Sequence, residues 1–248
     1  VRRNFLAKQI SMYENLSSLY LIIGDYEGVF NSIERSRAKF LAEQLAGSDS
    51  LVSIPDLSQV QTNLSSNQAI VIYANVGWEK LIELVITNDT IVGVEVPDSV
   101  ILSTLYPGNE DATLTLAVKS YRNSIKLFAG AEKITEFGSV FFDYLIQPIE
   151  DHIQDKTDLV IIPDGILGYL PFEVFIDKND QYLLETYDIS YVQSVSVLDF
   201  VRNRKYDEQQ QGTLLAVGGA IYRPQTYEVD MVENDKMLAY LEKTAFDS

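Results

Sequence analysis

The sequence predicts an α/β protein in which an N-terminal helical hairpin precedes a sheet that is flanked by helices. Three observations support this fold class. Apolar residues recur at helical spacing through residues 11–46. Runs that alternate between apolar and polar residues follow at 68–98 and indicate an antiparallel meander. From residue 158 onward, short β-branched runs bounded by Gly, Pro and Asp are typical of buried, mainly parallel strands with covering helices.

Composition excludes several classes of function. The chain has 248 residues, of which 46% are hydrophobic, and a net charge of −17. Such an acidic surface repels phosphate backbones, so we expect no direct nucleic-acid binding. No apolar run approaches the roughly 20 residues that cross a bilayer, and no signal peptide is visible. We therefore expect a cytoplasmic protein without a membrane partner, and the initial Val1 suggests a piece of a longer one.

The residues that are missing restrict the chemistry further. The sequence contains no cysteine, and its only histidine is His152. Disulfides, thiolate metal sites, a cysteine nucleophile and a multi-histidine metal site are therefore excluded within these residues. We predict no catalytic, cofactor-binding or metal-binding residue and no cofactor in this chain. His152 is interpreted as a surface or helix residue.

Residues 11–46 predict two helices separated by Gly24-Asp25-Tyr26. Small residues at Ser17 and Ser36 would let these helices approach closely. The pattern resembles one tetratricopeptide repeat, and the alternative is a plain helical hairpin. The first predicted domain is 1–50. The apolar and signature positions are Tyr13, Leu16, Tyr20, Ile23, Val29, Ile33, Phe40 and Leu41.

The middle of the chain predicts one short helix, three strands and a helical region. Leu57, Val60 and Leu64 form the apolar stripe of the short helix. The runs 68–76, 79–89 and 90–98 read as the strands, with Asn88-Asp89 as a hairpin turn. Residues 110–155 have helical character, and Pro148 bounds or kinks part of them. The residues expected to face the core there are Phe128, Ile134, Phe137, Phe141, Leu145 and Ile149.

Three further strands are predicted at 158–163, 188–194 and 213–219, with helices at 196–204 and 229–246. Pro163-Asp164-Gly165 follows the first of these strands. In such sheets, the loops at the carboxyl ends of the strands form the ligand crevice. The Asp-Gly pair supplies a tight turn there, and Leu167, Leu170 and Phe172 should pack back onto the core.

Asp164 and Glu173 are the acidic side chains of this loop. We favour a role in loop stabilisation over catalysis, because no second catalytic group is in evidence. An alternative is a glycosidase that uses both residues as a carboxylate pair. Against it, both acids belong to one short loop, and Trp78, the only tryptophan, is distant in sequence.

The loop and the strands around it resemble the first part of a CHAT domain, the caspase-like peptidase family commonly attached to tetratricopeptide repeats. The resemblance implies a caspase-like, mainly parallel sheet in a predicted domain 51–248, preceded by the tetratricopeptide-like hairpin and including the antiparallel meander. The matching features are Pro163-Asp164-Gly165, Leu170-Pro171-Phe172-Glu173, Tyr182-Leu183-Leu184-Glu185, Ser194 and the run LLAVGG at 214–219.

Family resemblance also implies a cysteine endopeptidase in which a His-Gly pair follows one strand of the sheet and a nucleophilic cysteine follows the next. Both motifs are expected after Gly218-Gly219, beyond the last residue, Ser248. The chain alone should then be inactive. Its expected partners are the missing C-terminal part of the same domain and a protein substrate or regulator bound through the repeat-like helices. The alternative is a non-catalytic interaction module built from these helices and an inactive CHAT-like platform.

Overall fold

The computed structural model describes residues 2–44, 54–75, 80–127 and 130–203. The predicted strand 213–219, the predicted helix 229–246, Trp78 and Phe128 lie outside the described residues. No helix within those ranges combines the length and the apolarity that spanning a bilayer requires.

The N-terminal part is a hairpin of two helices, α1 (Arg2–Ile22) and α2 (Tyr26–Gln44), as predicted. Gly24 has φ +73°, a left-handed conformation that ends α1. Gly28 lets the helices approach closely, because a Cβ there would lie 2.6 Å from the Tyr20 ring. Ile23 was expected in the apolar stripe of α1, and that prediction is wrong. It lies in the turn after the helix and is 72% exposed.

A single five-stranded sheet forms the centre of the molecule, with strand order β3-β2-β1-β4-β5. The strands are β1 (Gln68–Asn75), β2 (Lys80–Ile86), β3 (Ile91–Pro97), β4 (Asp158–Ile162) and β5 (Asp188–Tyr191). The pairs β1–β2 and β2–β3 are antiparallel, which confirms the meander, and its turn closes where the Thr87 N–H donates to the Thr90 carbonyl at 3.0 Å. The pairs β1–β4 and β4–β5 are parallel. The α/β fold class is therefore confirmed, and the meander and the parallel strands share one mixed sheet through β1.

Helices cover both faces of this sheet. The helical hairpin, α3 (Leu57–Thr62) and the start of α9 (Val195–Asn203) pack on the face that carries Ile70 and Ile72. The opposite face, which carries Val71 and Tyr73, packs against α4 (Ser99–Leu105), α5 (Leu114–Lys126), α6 (Ala131–Leu145) and α7 (Glu150–Ile153). Two buried faces explain why β1 reads as an almost continuous apolar run. The sequence pattern did not predict α4.

The loop after β4 is anchored by aromatic packing. It contains two 3-10 turns, Gly165–Tyr169 and Phe172–Val174, and leads to α8 (Leu183–Thr186). Phe172 and Phe175 are fully buried, and their ring centroids lie 4.9 Å apart. Tyr73 contacts Phe172 at a centroid distance of 5.3 Å. Leu167 and Leu170 are buried as well, so the predicted packing of this loop against the core is confirmed.

Candidate functional site

A cavity of about 660 Å³ lies between the helical hairpin and the carboxyl ends of β1, β4 and β5. This is the position at which ligands bind in open α/β sheets. The hairpin forms one wall, and the loops after the three strands form the other. The polar and charged residues that line it are Tyr13, Glu14, Ser17, Ser32, Ser36, Arg37, Asn75, Asp164, Tyr191, Gln193 and Ser194.

Asp164 joins the ends of two neighbouring strands. Its Oδ2 accepts a hydrogen bond from the backbone N–H of Asn75 at 3.0 Å. Its other oxygen accepts no hydrogen bond within the described part of the chain. The next residue, Gly165, has φ +50°, which favours glycine, and a Cβ there would lie 3.3 Å from Asn75 Nδ2. Asp164 thus stabilises the loop across the sheet and also presents a carboxylate oxygen at the cavity.

Glu173 takes a different position from Asp164. It is not among the residues that line the cavity, and its carboxylate lies beside the Tyr191 hydroxyl. Burial raises the pKa of Tyr191, and the neighbouring Glu173 carboxylate raises it further. The Tyr191 hydroxyl accepts a hydrogen bond from the Phe172 N–H at 3.2 Å. The cavity therefore does not bring Asp164 and Glu173 together as a facing carboxylate pair, and the glycosidase alternative gains no support.

Arg37 is the cation of the cavity wall. Its Nη2 donates to the backbone carbonyl of Tyr73 at 2.7 Å, which attaches α2 to β1. Its Nη1 is shielded from solvent and has no hydrogen-bond acceptor among the described residues, although the residue as a whole is partly exposed. Burial lowers the pKa of Arg37, and the nearby carboxylates of Asp164 and Glu34 oppose that shift. Among the described residues, the guanidinium group is therefore only partly hydrogen-bonded.

Glu14, on α1, faces the same cavity. Partial burial raises the pKa of its carboxyl group, and the negative charge of Asp164 raises it further. The cavity therefore holds two acidic side chains that repel each other, together with one guanidinium group.

Glu34 connects the hairpin to α9 beside the cavity. Its buried carboxylate accepts hydrogen bonds from the backbone N–H groups of Val195 and Ser196 at 3.1 and 2.9 Å, and from Ser196 Oγ at 2.7 Å. Ser194 Oγ accepts a further bond from the Val197 N–H at 3.2 Å. These acceptors satisfy N–H groups that a helix N-terminus leaves free, and the negative charge is favourable at that end of the helix dipole. The contact fixes the loop after β5, which forms part of the cavity wall.

Neither Glu34 nor Arg37 was predicted from the sequence as a functional residue. The signal was available in α2, where Phe30, Ile33, Glu34 and Arg37 follow the spacing of one helix face. Charged residues within an apolar stripe require buried partners. His152, in contrast, is exposed on α7 and does not line the cavity, in agreement with its interpretation as a surface residue.

Comparison with known proteins finds a family-model match that includes part of the cavity wall. Residues 135–239 match the family model of the CHAT domain. No curated protein matches the chain. Within the described residues the matched segment includes most of α6, the strands β4 and β5, the loop with Asp164, and α9. Arg37, Glu34 and Asn75 precede it, so the cavity is built from residues inside and outside the match. The match covers less than half of the 248-residue chain, and it shows that residues 135–239 are similar to the CHAT domain.

Proposed function

We propose that this chain is the non-catalytic part of a caspase-like cysteine endopeptidase in which tetratricopeptide-like helices precede the CHAT domain. The single observation that carries the proposal is the CHAT match over residues 135–239. The chain contains no cysteine and only one histidine. The histidine and cysteine of the reaction are therefore supplied by polypeptide outside these 248 residues.

In such a peptidase, the histidine accepts the thiol proton, the thiolate attacks the substrate carbonyl, and an acyl-enzyme forms. The described residues shape the surface on which the substrate is held. The Asp164–Asn75 hydrogen bond fixes the loops at the carboxyl edge of β1 and β4. The bonds from α9 to Glu34 fix the loop after β5. We assign these residues a positioning role, because none of them is a nucleophile activated by a base.

The helical hairpin is the part through which a protein substrate or a regulator would act. It supplies Glu14 and Arg37 to the cavity wall and Glu34 to the N-terminus of α9. A partner that displaces the hairpin changes both the cavity and the α9 contact, which is a physical route from binding to activity.

The proposal is tested by comparing the 248-residue chain with the complete parent protein on a library of protein-derived peptides. We expect cleavage by the parent alone, and we expect iodoacetamide, which alkylates thiolates, to abolish it. His152→Ala in the parent is the control and should leave cleavage unchanged, because His152 is exposed and away from the cavity. Thiol-independent cleavage by the 248-residue chain would overturn the proposal.

A second candidate function is an interaction module without catalysis. The absence of any cysteine in the chain favours it. This alternative predicts that the parent gene encodes no His-Gly and Cys motifs after Ser248 and that the parent protein cleaves no peptide. Finding both motifs, together with thiol-dependent cleavage, excludes the module.

A further inference from the structure

The cavity beside the helical hairpin has the size of a binding site for part of a polypeptide. Its volume of about 660 Å³ lies within the range of about 300–1,000 Å³ that is typical of ligand pockets. It lies at the carboxyl edge of β1, β4 and β5, where ligands bind in sheets of this kind.

One wall of the cavity has a hydrogen-bond donor that lacks an acceptor. Arg37 Nη2 is engaged by Tyr73, whereas Nη1 has no acceptor among the residues described. A buried N–H group without an acceptor is unfavourable. A hydrogen bond from this group to a ligand therefore contributes more to the binding free energy than the same bond would in water. Nη1 is shielded from solvent in this conformation, so a ligand acceptor contacts it only if the guanidinium group turns toward the cavity.

The facing loop has an acceptor with remaining capacity. One oxygen of Asp164 is bound to the Asn75 N–H, and the second accepts nothing from the described residues. Asp164 lies close enough to Arg37 for its negative charge to act on the guanidinium group. Arg37 and Asp164 both line the cavity, which therefore presents a donor and an acceptor to a ligand.

Neither an anionic nor a cationic side chain satisfies both walls of the cavity. A ligand carboxylate would be repelled by Asp164 and Glu14, which already repel each other. A ligand ammonium group would be attracted by the two carboxylates, but it would be repelled by Arg37 and would leave the Arg37 donor without an acceptor. A neutral group that carries both a carbonyl oxygen and N–H donors satisfies both walls without either repulsion.

We propose that the cavity binds the neutral carboxamide side chain of an asparagine or glutamine in a polypeptide segment, with its oxygen at Arg37 and its NH₂ group at Asp164. The inference rests on the proposed function, because the segment is then part of the protein substrate. It assigns the specificity of the site to residues of both the helical hairpin and the CHAT segment.

The test uses four acetylated, amidated pentapeptides, Ala-Ala-Xaa-Ala-Ala, in which Xaa is Gln, Glu, Lys or Leu. Binding to the 248-residue chain is measured by isothermal titration calorimetry, and NMR of the arginine side-chain N–H groups locates the contact. We expect the Gln peptide to bind at least about tenfold more tightly than the other three, because only its side chain matches both walls. Equal binding of the Leu peptide, tighter binding of the Glu or Lys peptide, or no binding would overturn the proposal.

Two variants test whether Asp164 and Arg37 contact the side chain of the Gln peptide. Asp164→Asn keeps an oxygen for the Asn75 N–H and replaces the second acceptor by a donor, so we expect about tenfold weaker binding of the Gln peptide. Arg37→Lys keeps the positive charge, loses the planar donor pair and should weaken binding similarly. Asp188→Asn is the matched control, because Asp188 is exposed at the opposite end of the parallel strands. An unchanged affinity in the first two variants would refute the assignment, and circular dichroism checks that each variant is folded.

The peptide-binding experiment and the peptidase assay test separate claims, and either one can give a negative result without the other. Preferential Gln binding without thiol-dependent cleavage by the parent would leave a carboxamide-binding site and remove the proposed function. Thiol-dependent cleavage without preferential Gln binding would keep the peptidase and overturn only this inference.

Discussion

At the scale of single residues, Glu83 is an unfavourable group in the core. It lies on β2 opposite Tyr73 and Val94, is 0% exposed, and its carboxyl oxygens have no hydrogen bond within the described part of the chain. Burial raises its pKa well above the ordinary value of 4.5. The folded state therefore binds a proton more tightly than the unfolded state.

The raised pKa of Glu83 determines how the stability of the protein changes with pH. Because the pKa of Glu83 in the folded state is raised, its contribution to stability is complete below the ordinary carboxyl pKa of 4.5. It decreases as the pH rises from there toward the folded-state pKa. Glu83→Leu should therefore stabilise the protein by about 1–4 kcal/mol at pH 7 and by less at pH 4, as measured by urea unfolding. Glu95→Leu is the control, because Glu95 is exposed on the neighbouring strand β3. An equal increase in stability in that variant would contradict the assignment of the effect to the burial of Glu83.

At the scale of secondary-structure elements, α2 and α9 are joined by three hydrogen bonds to the buried carboxylate of Glu34. Glu34→Ala leaves three donors of Val195 and Ser196 without their acceptor. We expect it to lower the free energy of unfolding by about 2–4 kcal/mol, as measured by chemical denaturation. Glu27→Ala in the exposed first turn of the same helix should change it by less than about 1 kcal/mol. Similar losses in the two variants would show that the buried contact contributes no special stability.

The packing of α1 against α2 can be tested at Gly28. A Cβ at this position would lie 2.6 Å from both the Tyr20 ring and Asp25 Oδ2. Gly28→Ala should therefore destabilise the hairpin by about 1–3 kcal/mol through overpacking, as measured by thermal unfolding. At Gly168 the nearest atom to an added Cβ is 3.9 Å away, so Gly168→Ala should be tolerated. A stable Gly28→Ala protein would mean that the helices can separate without loss.

At the scale of the whole molecule, the helical hairpin and the sheet share one apolar core. Val29 and Phe30 are fully buried against the same face of the sheet as Ile70 and Ile72. The division into domains 1–50 and 51–248 stays a prediction. We expect residues 51–248 alone to bind the dye ANS and to lose cooperative thermal unfolding, because that face is then exposed to water. Cooperative unfolding of 51–248 without dye binding would establish an independent domain.

Local patterns predicted most of the elements, though not α4, and they could not predict the arrangement that builds the site. The alternation in 79–98 identifies β2 and β3, and Pro163-Asp164-Gly165 marks the end of β4, because these signals lie within a few neighbouring residues. Glu34 and its partners in α9 are about 160 residues apart, and no local signal pairs them. The order β3-β2-β1-β4-β5 depends in the same way on long-range contacts.

The hydrogen bond between Asp164 and Asn75 has a consequence for how the two central strands align. Both faces of β1 and β4 are apolar, so a sliding of one strand past the other would still bury hydrophobic side chains. The observed alignment sets Ile72 opposite Ile162 and brings the Asn75 N–H to the carboxylate beyond the end of β4. The Asp164–Asn75 hydrogen bond at the carboxyl edge of the sheet thus favours one alignment of β1 and β4 among several that hydrophobic burial alone would permit.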